Sequence, residues 1–227
     1  MANRLLPFRQ YNEHFVVNLF ALKTSELNLT DPAKNTHANS DKHDAGVLVK
    51  PSAGILDLGA GYGGSGANAG EGSSDLNTYM GSTDYPHVGR NVNPEAFGKF
   101  EVAGASDDIL GVTLNQTLAW DENGEKMLYY RQKLLEHQGV LPGEVVPVLT
   151  KGIITVAASA IAGTAPTIGA IVNAAAEGKF SKDAGTKVGL CIGKGNRNGV
   201  YDANQKDYFA GDGTSDAGNY YIIKIDL

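Results

Sequence analysis

The sequence predicts a mainly β protein: a small antiparallel β-barrel or sandwich with one α-helix, a long extended N-terminal arm and long loops. Short apolar runs with alternating faces are separated by turn signals, and only one segment has a helical period. Strands and helices do not alternate regularly, as they would in a parallel α/β protein. The composition agrees, because 29 glycines with only 19% charged residues suit turns and close-packed strands.

Length and shifts in composition divide the sequence into three regions of one domain. Residues 1–22 form the N-terminal arm and a first strand, and residues 23–97 hold a short strand at 46–50 between long loops rich in Gly, Ser and Asn. Residues 98–227 form the β domain, with a helix over 124–138. A chain of 227 residues buries enough surface to fold without disulfides or metals, so one large domain is expected.

Alternating or continuous apolar runs place the strands. His14 to Leu22 is apolar on both faces, which predicts one continuous strand that is covered on both sides. Further strands are predicted at 99–104 and 107–115. The run 145–157 predicts two short strands that are bent or joined at Lys151 and Gly152.

The last two predicted strands have distinct faces. Val188, Leu190 and Ile192 are expected on one face of the first, opposite a face of glycines and Cys191 that allows another backbone to approach closely. The second strand, 219–227, alternates cleanly, and one face holds four apolar residues: Tyr221, Ile223, Ile225 and Leu227. We therefore expect that last strand to be half-buried in a sheet.

The helix over 124–138 is predicted from its period and its two ends. Asn123 is a candidate N-cap, and Met127, Tyr130 and Leu134 recur at helical spacing. Gly139 is placed for the C-terminal cap. The turn that follows, 141–144, has Pro and Gly in the order that a type II turn requires.

Charge and apolar content exclude two kinds of partner. The formal net charge is −6 and there is no basic cluster, so nucleic-acid binding is not expected. Residues 153–176 carry no charge over a length that could span a membrane, but they are rich in small and polar residues and include Pro166. Two short buried strands joined by a loop are predicted there. Neither a membrane span nor a signal peptide is expected, because Pro7 and Arg9 interrupt the N-terminal apolar pair.

The stretch "ILDLGAGYGGSG", residues 55–66, is similar in sequence pattern to the cofactor loop of methyltransferases. Such a loop works because a helix begins directly after it and directs its N–H groups at the ligand. Here the motif continues into "ANAGEGSS", which has no helical period. An S-adenosylmethionine-dependent methyltransferase therefore stays a remote alternative, and no cofactor is predicted. The long segment 58–94 is instead expected to form a pliable surface excursion.

Three other features contain residue types that occur in metal or reactive sites. His37 and His43, with two nearby aspartates, predict at most weak metal binding, and a solvated polar loop is the preferred interpretation. The segment 202–213 resembles a calcium loop but has Lys206 and Gly213 where oxygen ligands are required. Cys191, the single cysteine, is expected to be inert packing. No metal site and no catalytic residue are predicted, so the chain is not expected to be an enzyme.

The N-terminal arm is the main candidate for a docking segment, because it combines apolar, aromatic and Arg side chains. The tyrosines of the glycine-rich segment are a second cluster that could contact a neighbouring subunit or a glycan. The candidate interface residues are Arg4, Leu5, Leu6, Phe8, Arg9, Tyr11, Tyr62, Tyr79 and Tyr85.

Most of the chain outside the glycine-rich segment resembles a head decoration, or cement, protein of tailed bacteriophages. The resemblance lies in "MANRLLPFRQYNEHFVVNLFAL", "GEKMLYYRQKLLEHQGVLPGEVVPVLTKGIITV", "GKFS" and "VGLCIGKG…GNYYIIKIDL", taken in that order. It implies a β domain that is made in the host cytoplasm and attaches to the outer surface of a capsid. It also implies the major capsid protein as partner, a homo-oligomer that is often trimeric, and no catalysis. The alternative is another non-enzymatic virion component, such as a tail, fibre or glycan-binding domain.

Overall fold

The computed structural model describes residues 4–22, 42–55, 98–121, 123–125, 127, 131–141, 144–196 and 219–227. These residues form two six-stranded sheets and one two-stranded sheet. All neighbours in the first sheet and most in the second are antiparallel, so the predicted mainly β fold is confirmed.

The first sheet combines strands from both ends of the described chain. Its order is β1-β10-β14-β13-β11-β12. The bounds are β1 Leu5–Gln10, β10 Lys151–Ala157, β11 Ile171–Ala174, β12 Phe180–Ser181, β13 Lys187–Asn196 and β14 Asn219–Asp226. Strand β14 therefore lies between β10 and β13, and β1 forms one edge.

The second sheet has the order β2-β9-β6-β4-β5-β3. The bounds are β2 Val16–Val17, β3 Phe20–Leu22, β4 Leu48–Ile55, β5 Gly98–Val102, β6 Gly111–Thr113 and β9 Val148–Leu149. Strands β3 and β5 run parallel. A separate parallel pair joins β7 Gln116–Thr117 to β8 Gly139–Val140, on either side of the helix α1 Arg131–Glu136.

Side chains of both large sheets meet in one hydrophobic core. Leu48, Val112 and Leu149 of the second sheet pack in the same cluster as Ile154 and Ile223 of the first. Burial of each such side chain contributes about 1.5–3 kcal/mol relative to exposure, so this shared cluster joins the two sheets.

The facing of the last strand is confirmed, because Tyr221, Ile223 and Ile225 are buried while Lys224 and Asp226 are exposed. The apolar run 153–176 contributes β10 and β11 with a connecting loop, as predicted, but β11 is buried on one face only, because Ile171 is 52% exposed while Val172 and Ala174 are buried. No helix among the described residues is both long enough and apolar enough to cross a membrane.

The predicted helix over 124–138 is wrong at its start. Residues 123–125 form a turn, because Oδ1 of Asp121 accepts hydrogen bonds from the N–H groups of Asn123 and Glu125, each at 2.8 Å. Gly124 has φ of +80°, which a helix does not allow. The side chain that organises this turn is thus Asp121, two residues before the predicted N-cap.

The predicted C-terminal cap is also displaced by one residue. Gln138 has the left-handed φ of +51°, and Gly139 begins β8 instead. The helix closes with hydrogen bonds from His137 N–H to Lys133 O and from Gln138 N–H to Leu135 O. A β-carbon at residue 139 would lie 2.9 Å from Cδ1 of Leu134, so a larger residue there would require the Leu134 side chain to shift.

The strand predicted over His14 to Leu22 is split. A short 3-10 turn at Glu13–Phe15 leads into β2, and β3 pairs with a different neighbour. Leu19, in the break, is 56% exposed, so the expected cover on both sides is wrong. Conversely, the strand predicted at 46–50 begins at Leu48 and continues to Ile55.

The two faces predicted for β13 are confirmed from Gly189 to Ile192 but are wrong for Val188, which lies next to an irregularity and is on the opposite side from Leu190 and Ile192. The register of β13 shifts against β11 near Val188, and against β14 between Cys191 and Gly193. Val188 and Cys191 are buried, whereas Leu190 and Ile192 are exposed. The close approach predicted at its glycines is confirmed, because a β-carbon at Gly189 would overlap the carbonyl of Lys224.

His43 and Asp44 are buried, so a solvated loop is wrong for this pair. Asp44 accepts hydrogen bonds from the N–H groups of Arg4 and Ala45. The glycine-rich segment 58–94 and the calcium-like segment 202–213 lie outside the described residues.

Candidate docking surface

The structure separates the predicted arm residues into a buried and an exposed set. Arg4, Leu5 and Leu6 are buried, at 2%, 4% and 9% exposed. The backbone N–H of Arg4 donates to Oδ2 of Asp44 at 3.0 Å, and its guanidinium Nη1 donates to the carbonyl of Glu177 at 2.9 Å. These three residues therefore fasten the arm to the fold and present little surface to a partner.

Phe8 and Tyr11 are the exposed members of the arm. Phe8 is 62% exposed on the edge strand β1, and Tyr11 is 38% exposed just after it. The register of β1 against β10 is irregular between Leu5 and Arg9, where Pro7 has no N–H to donate. An edge strand interrupted in this way is a poor template for pairing with another strand, so side chains rather than backbone carry its surface chemistry.

Arg9 is half-buried and joins β1 to the rest of the fold. Its guanidinium donates to the side chain of Gln138 at 3.1 Å and to the carbonyl of Leu6 at 3.2 Å. Burial lowers the pKa of Arg9, while the nearby Tyr11 side chain, to which it is hydrogen-bonded, raises it. The group keeps its charge at neutral pH, because an Arg pKa lies so far above 7.

Phe15 and Leu19 extend the exposed apolar surface. Phe15 is 41% exposed, and its carbonyl accepts hydrogen bonds from the N–H and hydroxyl of Thr150 at 2.9 and 3.0 Å. Lys151 Nζ lies 6.0 Å from the centre of the Phe15 ring. Tyr11 packs on Gly152, where a β-carbon would lie 2.6 Å from Tyr11 Cβ. The chain at 150–152 thus holds both aromatic residues in place.

We call the docking surface the exposed residues Phe8, Tyr11, Phe15, Leu19 and Lys151 together with the half-buried Arg9. The sequence predicts Leu19 inside a covered strand and does not indicate Lys151 as a contact residue. The break after β2 that exposes Leu19 had a weak signal in Asn18, a polar residue in an apolar run. Tyr62, Tyr79 and Tyr85 lie outside the described residues.

A second exposed apolar cluster lies on the first sheet, on the side away from the core. We call it the aliphatic patch: Ile168, Ile171, Leu190 and Ile192, which are 61%, 52%, 37% and 40% exposed. Ile171 lies directly opposite Leu190 in the β11–β13 ladder. The loop that carries Ile168 is joined to β13 by a hydrogen bond from Gly169 N–H to Cys191 O.

In the part of the chain that the structure describes, no cluster of three or more His, Cys, Asp or Glu side chains is arranged to hold a metal ion. Cys191 is buried, burial raises its thiol pKa, and its Sγ lies 3.5 Å from the carbonyl of Gly193. A buried thiol of raised pKa is a weak nucleophile, consistent with a packing role.

The chain was compared with protein-family models, with curated proteins and with solved structures, and none of them matches it.

Proposed function

We propose that the chain is a virion structural protein that decorates and stabilises the outer surface of a phage capsid. It attaches across neighbouring subunits of the major capsid protein, and the docking surface provides one contact. The proposal rests on the sequence resemblance together with one structural observation: three aromatic side chains, Phe8, Tyr11 and Phe15, are held exposed on a fixed backbone.

Exposed aromatic residues on a rigid backbone are suited to protein docking. Aromatic and Arg side chains dominate the binding energy of protein interfaces, because they bury a large area and lose little conformational freedom. Phe8 lies on a strand, and Phe15 is fixed through the two hydrogen bonds to Thr150. Little ordering entropy is then lost when a partner covers them.

Capsid stabilisation follows from binding alone and needs no catalysis. A protein that binds the expanded shell more tightly than other states stabilises that shell by its binding free energy. Repetition over the shell multiplies a modest contact through avidity if each oligomer engages several subunits. The two six-stranded sheets and the exposed aromatic side chains support this role.

The test is co-sedimentation of the purified chain with expanded empty capsids of the parent phage. We expect the wild-type chain to saturate a fixed number of sites. The variants Phe8→Asp and Phe15→Asp should bind at least about tenfold more weakly, the loss expected when an interface anchor acquires a charge.

Gln10→Asp is the matched control, because it adds the same charge to an exposed position of the same strand without removing an aromatic ring. Its binding should stay close to wild type. Absence of wild-type binding to capsids, with circular dichroism showing a folded chain, would refute the decoration role.

A further inference from the structure

The aliphatic patch continues across the side of the first sheet that faces away from the core. Residues that lie directly opposite one another in neighbouring strands share a face. One such row crosses four strands: Ile171, Leu190, Lys224 and Ile153. The solvated side of an antiparallel sheet is usually polar. Because three residues of this row are aliphatic, this side of the sheet has the character of a binding surface.

Lys224 is the cation at the middle of this apolar row. Leu190 lies beside it on β13 and Ile153 lies beside it on β10. Ile222 precedes it by two residues on β14 and so lies on the same face, about 7 Å away. Cδ1 of Ile222 would lie 3.1 Å from a β-carbon at Gly193, so the Ile222 side chain leans towards β13. We call five residues the outer face: Ile153, Ile171, Leu190, Ile222 and Lys224.

The charge of Lys224 is not neutralised within the sheet. Lys224 forms no ion pair with any residue that the structure describes. Asp226, two residues later on the same side, is engaged by Lys151, with 2.9 Å between Oδ1 and Nζ. The hydrogen bond from Lys151 is the main reason that the pKa of Asp226 is lowered, and the charges of Lys224 and Lys187 contribute. Three lysines thus lie around one carboxylate, although the formal net charge of the chain is −6.

A cation between aliphatic side chains selects the chemistry of a partner. A wholly apolar partner would cover Lys224 and leave its charge buried without a counter-charge, which is costly. A carboxylate placed over Lys224 removes that cost. Its attraction to the ammonium group grows when aliphatic side chains exclude water around the pair, because the local dielectric constant falls. The complementary surface is therefore one carboxylate with aliphatic side chains on either side.

Other partners fit this arrangement less well. If the isoleucines entered a lipid bilayer, Lys224 at their centre would be carried towards the hydrocarbon, where a charge is expensive. A nucleic acid needs cations along its phosphates, and the side chains next to Lys224 are Leu190, Ile153 and Ile222. A second copy that met this side face to face would place lysine against lysine.

We infer that the outer face binds a segment of another protein that presents one Glu or Asp between aliphatic side chains. The carboxylate pairs with Lys224, and the flanking aliphatic groups pack on Leu190, Ile153 and Ile222. The exposed Lys187 adds long-range attraction for an acidic segment. The inference goes beyond the proposed function, because it neither uses the aromatic residues of the docking surface nor requires a capsid.

The experiment is nuclear magnetic resonance of the full isotope-labelled chain, titrated at low ionic strength with two synthetic peptides. The first is acetyl-Gly-Leu-Glu-Leu-Gly-amide, and the second has Gln in place of Glu and is otherwise identical. We expect the Glu peptide to shift the signals of the outer face. Its dissociation constant should be about fivefold lower than that of the Gln peptide, the ratio expected from one charge pair at a partly covered surface.

Variants of the chain separate charge recognition from simple apolar contact. Lys224→Met should remove the preference for the Glu peptide, and Lys224→Arg should keep it. Leu190→Asp should weaken binding of the Glu peptide at least about tenfold, since it adds a like charge to the apolar contact. Lys50→Met is the control, because it removes the same charge from the second sheet. Lys224 and Leu190 are exposed, so circular dichroism should stay unchanged.

Three results would overturn the inference: no shift of the outer-face signals by either peptide, equal binding of both peptides, or an unchanged preference in Lys224→Met. Two further measurements test other occupants. Phosphatidylglycerol vesicles that pellet the wild type but not Leu190→Asp would assign the face to a membrane and overturn the inference. Self-association that is lost in Leu190→Asp would assign the face to a second copy, with the same consequence.

The proposed function is tested separately by co-sedimentation with capsids. A chain that distinguishes the two peptides but does not bind capsids would keep this inference and lose the decoration role. A chain that binds capsids but treats the two peptides alike would keep the decoration role and lose this inference.

Discussion

The backbone carbonyl of Lys224 lies against the Cα of Gly189, in the space that a β-carbon at residue 189 would fill. Gly189→Ala should therefore destabilise the fold by roughly 1–3 kcal/mol or more, because β13 and β14 must separate locally. Thermal unfolding of the variant measures this loss. Gly193→Ala on the same strand is the control: its nearest contact is the movable Cδ1 of Ile222 at 3.1 Å, so a smaller loss is expected. Equal melting temperatures for Gly189→Ala and wild type would contradict the close approach.

Ile223 of β14 is fully buried in the core shared by both sheets. Ile223→Asp should prevent stable folding, because an unpaired carboxylate in an apolar interior costs more than most domains have in reserve. Circular dichroism and solubility provide the measurement. Leu227→Asp, at a position that is 42% exposed at the end of the same strand, should stay folded. A soluble Ile223→Asp chain with wild-type melting would show that the strand faces the other way.

Substitutions at Leu5 and Phe8 should affect different properties, although both residues belong to β1. A change at Leu5 should lower stability, and a change at Phe8 should weaken partner binding. Leu5 is 4% exposed and lies in the main core, whereas Phe8 is 62% exposed. Leu5→Ala should lower the free energy of unfolding by about 2–5 kcal/mol, and Phe8→Ala by much less. Chemical denaturation measures both values. Deletion of residues 1–12 should consequently impair folding as well as docking, so point variants are the sharper test of the arm.

Asp121 should make stability dependent on acid pH. Burial raises the pKa of Asp121, but three hydrogen bonds to its carboxylate outweigh the effect of burial, so the pKa is lowered overall. The donors are Lys133 Nζ, at 2.9 Å, and the N–H groups of Glu125 and Asn123. A carboxyl whose pKa is lowered by folding stabilises the fold at pH values above its pKa in the unfolded chain, about 3.9. That stabilisation is lost as the pH falls through the pKa of the folded state. Asp121→Asn should thus melt below wild type at pH 7, with the difference shrinking towards pH 2. A constant difference across this range would count against the assignment.

Cys191 should resist alkylation in the folded chain. It is buried and its pKa is raised, so little thiolate is accessible at neutral pH. The rate of modification by iodoacetamide should follow the fraction of unfolded protein over a denaturant series. Rapid modification without denaturant would place the thiol at the surface.

Strand faces were predictable where the period of two is regular and not where it is interrupted. In β14 every buried residue follows the alternation, so Tyr221, Ile223 and Ile225 were assigned correctly. In β13 the alternation holds from Gly189 to Ile192, but Val188, which was expected on the face of Leu190 and Ile192, is buried because the register against β11 shifts at this point. No feature of the local sequence marks those irregularities, which arise from pairing with distant strands.

The helix and the docking surface were also predictable only in part. Met127 and Leu134 are buried in the same small cluster, as their spacing predicted, but Asp121 folds residues 123–125 into a turn where the helix was predicted to begin. For the arm, composition predicted aromatic contact residues, yet it could not distinguish exposed Phe8 from buried Leu6. That difference depends on pairing with β10, more than a hundred residues later in the sequence.

The position of β14 has a consequence for synthesis in the cell. Because residues 219–226 form a strand between β10 and β13, neither neighbour finds that partner until this segment has left the ribosome. A chain arrested earlier presents two long unpaired backbone edges, which favour aggregation over assembly. Completion of the first sheet therefore has to wait for the synthesis of residues 219–226.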